Sequence, residues 1–291
     1  MFPRRLCRQA LAGLCLLTAA GACQAAEPAQ RQVDPVHWAF AAFLGSGWYR
    51  LGQEQDVFVL RVPPRWRYRE PDPQADGRER LGVEFQFPMT LGLHRLEEFG
   101  DFLDTGNIGT VSFTPGVEVE YPFSARWRLR WYGHLGWGTD TEGRESAWMV
   151  DSGIKSRLGF RHGSLDWGLV SEVFYAGYRS SLDRTGSLGG VLAGLDFSHP
   201  VSALRSGRGE PLDLKWDLTY TWFGDNPLFQ LQTGSFKAIE DAWAVGVAFA
   251  RRAGPTRIGR FKFARFGLSY RFSSDGEFRA ITLNFRAPFD R

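Results

Sequence analysis

Charged side chains recur at every second position in several stretches of this chain, and charges at that spacing can hold anions or pair with one another. Arginines occupy Arg65, Arg67 and Arg69, and again Arg126, Arg128 and Arg130. Arginine ladders that line a pore would favour anions. Acids with the same spacing occur at Glu118 and Glu120, and acids opposite arginines would cancel their charge and brace the wall. We favour bracing over anion selectivity, because the acids are placed to neutralise many of the arginines.

The residues between these charges are apolar, which indicates extended strands. In residues 81–93, seven apolar side chains alternate with small or polar ones without a miss. A period of two places the apolar side chains on one face of a strand and the others on the opposite face. Strands of soluble proteins average only about 5–6 residues, whereas a strand that crosses a bilayer needs about 9–11. The pattern therefore predicts membrane-spanning strands.

Twelve such segments follow one another along the chain. Their predicted cores lie near residues 37–50, 57–69, 81–93, 110–121, 126–138, 148–161, 165–178, 188–198, 212–223, 241–251, 261–272 and 277–288. The alternation slips near Ala264, so we expect a bulge or a later strand start there. The predicted fold is all-β: a 12-stranded antiparallel transmembrane β-barrel, an up-and-down meander occupying residues 37–291 after a periplasmic lead-in at 26–36.

If the apolar faces contact lipid, the charged faces line the lumen. The predicted lumen-lining residues are Arg65, Arg67, Arg69, Glu84, Glu118, Glu120, Arg126, Arg128, Arg130, Lys155, Arg157, Arg161, Asp166, Glu172, Asp213, Lys215, Asp217, Arg265 and Arg271. Hairpin geometry pairs several of them across short turns. The predicted pairs are Glu120 with Arg128, Glu118 with Arg130, Arg161 with Asp166, and Lys155 with Glu172.

Aromatic residues collect near the predicted strand ends, where girdles of a membrane barrel would lie. They are Trp48, Tyr49, Trp66, Tyr68, Tyr121, Trp137, Trp148, Tyr175, Trp222 and Trp243. A soluble β-sandwich would instead pack these rings inward. That alternative is disfavoured, because the opposite faces carry charges and the sequence offers no other apolar layer. A helical membrane protein is disfavoured too, since no apolar run approaches ~18 residues.

Residues 1–25 read as a cleaved secretory signal peptide, with arginines first, an apolar centre at 11–22 and small residues before a cut after Ala25. This segment holds three of the 35 basic residues and none of the 32 acidic ones, so the exported chain would be formally neutral and is not expected to bind nucleic acid. Cys7, Cys15 and Cys23 all lie within it, which leaves no disulfide or thiol chemistry. In a competing interpretation, Cys23 is a lipidated first residue.

Candidate catalytic and metal residues are few. His162 and Ser164 form the one His-x-Ser pair, but they fall at a predicted tight turn without a residue to orient the histidine. The acids Glu97, Glu98, Asp101 and Asp104 cluster in one predicted loop, where they would bind divalent cations, contact lipopolysaccharide or simply be solvated. We predict no catalytic, cofactor-binding or metal site and no cofactor.

Taken together, the leader, the twelve strands and the short lead-in resemble the solitary autotransporter-type outer-membrane barrels, which lack a secreted passenger. Residues 278–285 resemble the C-terminal signal that the barrel-assembly machinery reads, with Leu283 and Phe285 as its alternating apolar pair and Ala280 where glycine is usual. Residues 286–291 then depart from the pattern. The resemblance implies export to the bacterial outer membrane and transient contact with the assembly machinery.

The sequence therefore predicts a non-enzymatic outer-membrane barrel, similar to an autotransporter translocator without a passenger, with a lumen braced by charged side chains. Its expected partners are outer-membrane lipid and lipopolysaccharide; the oligomeric state is not predicted. The first alternative is a small-solute channel, porin-like and favouring anions. The second is an outer-membrane lipid-modifying enzyme.

Overall fold

Twelve antiparallel spans close into a barrel in the part of the chain that the structure describes. Three of these spans consist of two strands each, and four further strands form two hairpins outside the barrel. The structure is a computed structural model, and it describes residues 44–51, 55–94, 108–141, 143–206, 209–224, 228–230, 236–252, 256–258 and 261–290. The predicted leader, the lead-in, the start of the first predicted strand and the acidic loop lie outside these residues. No helix in the described residues is long and apolar enough to cross a membrane.

The strands follow the predicted segments closely. Their bounds in chain order are β1 Gly47–Leu51, β2 Gln55–Val62, β3 Arg65–Arg69, β4 Gly82–Gln86, β5 Met89–His94, β6 Ile108–Phe113, β7 Gly116–Pro122, β8 Trp127–Asp140, β9 Ser146–His162, β10 Leu165–Ser180, β11 Thr185–Arg205, β12 Pro211–Phe223, β13 Leu228–Gln230, β14 Phe236–Ala238, β15 Asp241–Arg251, β16 Thr256–Ile258, β17 Phe261–Phe263, β18 Phe266–Phe272 and β19 Phe278–Leu283. The last strand, β19, pairs with β1 and closes the barrel. The fold class predicted from the sequence is confirmed.

Prolines divide three neighbouring spans into two strands each. Pro63 and Pro64 separate β2 from β3, Pro88 separates β4 from β5, and Pro115 separates β6 from β7. Proline has no N–H to give to a ladder, but its carbonyl still accepts: Phe87 N–H donates to Pro64 at 2.9 Å. The expectation of one unbroken strand over 81–93 was wrong, although the alternation of inward and outward side chains continues across Pro88, which is itself buried.

Two short hairpins lie outside the barrel ladder. Strands β13 and β14 pair between β12 and β15, and β16 and β17 pair between β15 and β18. The last barrel strand before β19, β18, therefore begins at Phe266. Of the two expectations for the break in alternation near Ala264, the later strand start is the one observed. The segment predicted at 188–198 is the longest strand, β11, with 21 residues.

The two ends of the barrel differ. At one end, which we call the tail end, the chain turns between β7 and β8 and between β9 and β10, and β19 ends there. At the other, the loop end, lie the connections from β8 to β9, from β10 to β11 and from β12 to β15. All twelve spans run between these two ends, so each luminal residue can be placed by its distance from one of them.

Apolar side chains face outward and charged ones inward. On β8, Trp131 and Leu135 are 55% and 60% exposed, whereas Arg130 and His134, which precede them, are buried. On the neighbouring β7, Glu118 and Glu120 are buried. A soluble sandwich would show the opposite arrangement, so the outer surface is one that suits lipid and the inner surface one that must satisfy buried charge.

Aromatic rings form a band around the outside near each end. Near the tail end, Phe160 stacks on Trp167 with ring centroids 4.3 Å apart, and Phe197 stacks on Trp216 at 3.7 Å. Near the loop end, Trp137 and Trp148 are register partners and both are exposed. Bands at two heights suit the two interfaces of a bilayer. Tyr49 is a correction to the predicted girdle, since its ring is buried inside and its hydroxyl donates to Gly45 O at 2.8 Å.

Candidate functional site: the lumen of the barrel

Arg130 is the centre of the largest cluster of charges inside the barrel. Its guanidinium lies 3.1 Å from Glu118, 2.6 Å from Glu120 and 3.2 Å from Asp290. The Arg130 side chain is only 2% exposed. Three carboxylates converge on one guanidinium, so its five N–H donors satisfy charges that would otherwise be buried alone.

The segment after β19 turns back into the barrel. Residues 284–290, which we call the tail, end in a 3-10 turn, Pro288–Asp290. The Phe289 carbonyl accepts a hydrogen bond from Arg130 Nη1 at 3.0 Å, and the Arg130 guanidinium carbon lies 4.2 Å from the centre of the Phe289 ring. The ring is fully buried against Val170 and Leu192. The tail therefore occupies the lumen at the tail end.

Other ion pairs follow the wall on either side of this cluster. Arg157 makes two bonds to Asp196, the shorter 2.6 Å, and Arg265 lies 2.7 Å from Asp217. Asn284 Nδ2 donates to Asp217 at 3.3 Å, and this contact ties the start of the tail to the wall. Bidentate and doubly bonded guanidinium groups are the geometry in which buried ion pairs are best satisfied.

Acidification is expected to loosen the tail. Burial alone would raise the pKa of Asp290, but the guanidinium groups of Arg130 and Arg128 lower it, and the net shift is downward. A carboxyl whose pKa falls on docking stabilises the docked state above its ordinary value of about 4. That contribution is lost as the pH falls through the lower pKa of the docked tail. It is small, at most about 1 kcal/mol, because the Asp290 side chain stays 42% exposed.

The measurement is the mobility of a spin label at Ala287→Cys, read by electron paramagnetic resonance between pH 7 and pH 3. We expect the mobile fraction to rise below about pH 4. Glu118 and Glu120 also face Arg130, so Asp290→Asn is the control. Its label should be more mobile at pH 7 and respond less to acid. Identical pH profiles for the two proteins would contradict the assignment to Asp290.

A second polar network lies in the middle of the lumen. His134 Nδ1 is 2.7 Å from Asp151, and its Nε2 is 3.0 Å from the Gln86 side-chain oxygen. The Tyr132 hydroxyl donates to Glu172 at 2.7 Å, and Lys155 lies 3.9 Å from the same carboxylate. Both ring nitrogens of His134 are therefore engaged by side chains of the described residues.

Glycines on the facing strands make room for these side chains. A Cβ on Gly153 would stand 2.6 Å from the Tyr132 hydroxyl oxygen, and one on Gly116 would stand 2.2 Å from His134 Cδ2. Both glycines are the register partners of the residues they accommodate. Alternating large and small side chains is how a narrow barrel fits its interior, and here it positions the central network.

Near the loop end the inward side chains become apolar. The apolar layer comprises Tyr49, Val59, Met149, Phe174, Tyr178, Leu188, Phe223, Ile239 and Phe278, with small alanines between them. The rings of Phe174 and Phe223 meet edge to face at 6.2 Å, and Tyr49 stacks on Phe278 at 6.2 Å. A hydrophobic constriction of this kind excludes water and ions by dewetting.

The space left between the apolar layer and the tail is a cavity of about 200 Å³. It is lined by the central network on one side and by Asn284, Phe285, Arg286 and Pro288 of the tail on the other. The interior therefore has three levels: an apolar layer, a polar cavity, and an ion-paired cage around the tail.

The structure brings most of the predicted lumen residues inside. Glu84 lies 2.9 Å from Arg65 and 2.7 Å from Arg67, and Asp213 pairs with Arg252 at 3.0 Å and with Lys215 at 4.0 Å. Arg271 is buried on β18. Arg69, Arg126 and Arg161 are exposed at the tail end. For Arg69 the reason is a register shift after Arg67, and its side chain donates to Arg78 O at 2.8 Å.

Of the predicted cross-strand pairs, two are direct partners and two are diagonal. Arg161 faces Asp166 and Lys155 faces Glu172, as predicted. Across the other turn, Glu120 faces Arg130 and not Arg128. The predicted ion pairs still form along the diagonal, with Arg128 3.4 Å from Glu120, because arginine side chains reach the next pair along the strand.

Sequence reasoning missed several luminal groups. Asp196 pairs with Arg157, and its even-numbered position among the alternating residues of the predicted segment 188–198 would have placed it inside. Gln86 was treated only as one of the polar residues between the apolar ones, and the inward tail was not predicted.

His162 and Ser164 are exposed at the end of β9 and in the turn that follows. Among the described residues there is no group of three or more histidine, cysteine or acidic side chains placed to hold a metal.

Comparisons with known proteins report a likeness in fold only. No protein-family model and no curated protein matches the chain. Among solved structures, the β domain of the Bordetella autotransporter BrkA is similar, with 12% sequence identity and a TM-score of 0.47. The match covers 81% of this chain and 91% of that one.

Proposed function

We propose that the protein is a bacterial outer-membrane β-barrel without enzymatic activity, whose lumen is braced and kept shut by its own residues. The observation that carries the proposal is that the lumen is occupied at both ends. Phe289 and the Arg130 cluster fill the tail end, and the apolar layer fills the loop end. Between them, among the described residues, lies a cavity of about 200 Å³.

Charge placement supports bracing over anion conduction. The arginines that would form an anion ladder are engaged with acids: Arg65 and Arg67 with Glu84, and Arg130 with Glu118 and Glu120. Paired charges give the lumen wall cross-links between strands, while a selective pore needs charges that face free water. The arrangement favours a rigid barrel, similar in architecture to a translocator but without room for a passenger in this conformation.

The outer surface and the predicted leader support location in the outer membrane of a Gram-negative cell. Two aromatic bands flank an apolar outer wall, and a segment of signal-peptide character precedes the barrel in the sequence. Lipid and lipopolysaccharide are then the partners that the outer wall and the loop end contact, and the barrel-assembly machinery is the partner during insertion.

The test combines fractionation with conductance. The protein is expected in the outer-membrane fraction, with a faster gel mobility before heating than after, as folded barrels show. Purified protein in planar bilayers should give no steady current at neutral pH. A steady anion-selective current would favour the channel alternative, and a heat-insensitive soluble protein would overturn the whole proposal.

A further inference from the structure

The cavity in the middle of the lumen has more cationic than acidic side chains on its wall. Among the described residues that line it, the cations are Arg61, Arg65, Lys155, Arg271 and Arg286. The acids are Glu118, Asp151 and Glu172. A surplus of cations among buried side chains is unfavourable unless an anion balances it.

The acids of the cavity wall are already engaged. Glu118 lies 3.1 Å from Arg130, Asp151 lies 2.7 Å from His134, and Glu172 accepts from Tyr132 at 2.7 Å. Glu84, on strand β4, is held by Arg65 and Arg67. None of these carboxylates is in ion-pair contact with Arg286 among the described residues.

Arg286 is in ion-pair contact with no acid of the described residues, although Glu84, Asp290 and Glu118 favour its charge from farther away. Its Nη2 donates to Pro63 O at 3.3 Å, and its Nη1 is buried without a hydrogen-bond partner among the described residues. Burial and the like charge of Arg65 lower the pKa of Arg286 to about 10, so it remains charged at neutral pH. A buried guanidinium left in this state is costly unless something with a negative charge and acceptor oxygens sits against it.

Two further donors on the same wall have no partner among the described residues. They are Arg65 Nε and Gln86 Nε2, and both atoms are buried. Arg65 already gives Nη1 to Glu84 at 2.9 Å, which fixes its guanidinium in place. The cavity thus offers N–H donors from two strands and from the tail that no acceptor of the described residues satisfies.

We propose that the central cavity is a binding site for a small oxyanion, of the phosphate or carboxylate class, held by Arg286 of the tail together with Arg65 and Gln86 of the wall. Planar guanidinium groups bind such oxygens through pairs of charge-assisted hydrogen bonds. A volume of about 200 Å³ admits one small anion and several waters. Because one ligand group comes from the tail, a bound anion also ties the tail to the wall.

The test uses the full folded barrel in detergent micelles, with inorganic phosphate as the ligand. Phosphate replaces chloride at constant ionic strength and is present during refolding, so access to the cavity is not limiting. The melting temperature, read by tryptophan fluorescence, should rise and saturate with phosphate, as a ligand that binds only the folded state requires. The dependence of the melting temperature on phosphate concentration then gives the dissociation constant.

Variants locate the site. Arg286→Gln should weaken phosphate binding at least tenfold, and Arg286→Lys should fall between it and the wild type, because lysine keeps the charge but not the paired donors. Arg179→Gln is the matched control: Arg179 is exposed at the loop end and pairs with Asp183, so its loss should leave binding unchanged. Absence of saturation, or equal binding by Arg286→Gln and the control, would overturn the site. The conductance of the wild type is a separate readout, so failure of the occluded-barrel proposal would be recognised independently.

Discussion

Arg130→Met is expected to lower the free energy of unfolding by about 3–5 kcal/mol, which is the range for removing one partner of a buried ion pair. The substitution leaves Glu118 and Glu120 without their main counter-charge, and both are buried. It also removes the donor to Phe289 O and the cation over the Phe289 ring. Urea unfolding of the micelle-bound barrel, followed by tryptophan fluorescence and extrapolated linearly, measures the change.

Arg128→Met is the matched control for this prediction. Arg128 lies on the same strand and face and contacts the same Glu120, but at 3.4 Å and with 35% of its side chain exposed. A pair in that setting contributes at most about 1 kcal/mol. Equal losses for the two variants would show that the Arg130 cluster does not brace the barrel.

A second comparison separates the loss of the ion pairs of Arg130 from the cost of leaving buried carboxylates unpaired. In Arg130→Met, adding Glu118→Gln and Glu120→Gln removes the carboxylates that the first change left unpaired. We expect this triple variant to recover part of the stability, because neutral amides are less costly to bury than unpaired carboxylates. Strict additivity of the three changes would contradict a shared network.

The strand positions could be read from the sequence because period-two alternation is a direct consequence of strand geometry. On β8, Trp131 and Leu135 face out and Arg130 and His134 face in, as the pattern requires. Which side chains of a strand point inward could be predicted without knowing which strands pair with it. For that reason the predicted segments and the charged interior could be stated before the structure was known.

Register could not be read in the same way. Whether Glu120 faces Arg128 or Arg130 depends on the conformation of the turn at 123–126, and a change in turn length moves the pairing without changing the alternation. The two pairs across the shorter turn at Gly163 were placed correctly, because two-residue hairpin turns fix register closely. Gly163 has a φ of +59°, as such turns require.

The apolar layer and the tail, which close the two ends of the lumen, could not be predicted from the sequence for a different reason. Phe174 and Tyr178 face inward while their neighbours Val173 and Tyr175 face outward, so both faces of β10 are apolar there and alternation carries no direction. The tail has no periodicity at all, and residues 286–291 depart from the pattern of the predicted assembly signal. Its inward position depends on Arg130, which is 159 residues away.

Opening the lumen is expected to require changes at both ends. Truncation after Phe285 removes Phe289 and Asp290 but keeps the predicted assembly signal at 278–285. Phe174→Ala with Phe223→Ala removes the two rings that meet within the apolar layer. Closures in series each block current on their own, so either change alone should leave the protein silent in planar bilayers. The combination should give resolvable current steps.

The selectivity of the opened barrel follows from the cavity wall. In the truncated protein Arg286 is gone, which leaves Arg61, Arg65, Lys155 and Arg271 against three acids. A mild preference for anions is expected, and it should weaken as the salt concentration rises and screens the charges of the wall.

Heat-modifiable gel mobility of each variant shows that it is folded. If truncation alone conducts, the apolar layer is not a closure. If the folded combination stays silent, the ion-paired wall and not its ends keeps the lumen shut.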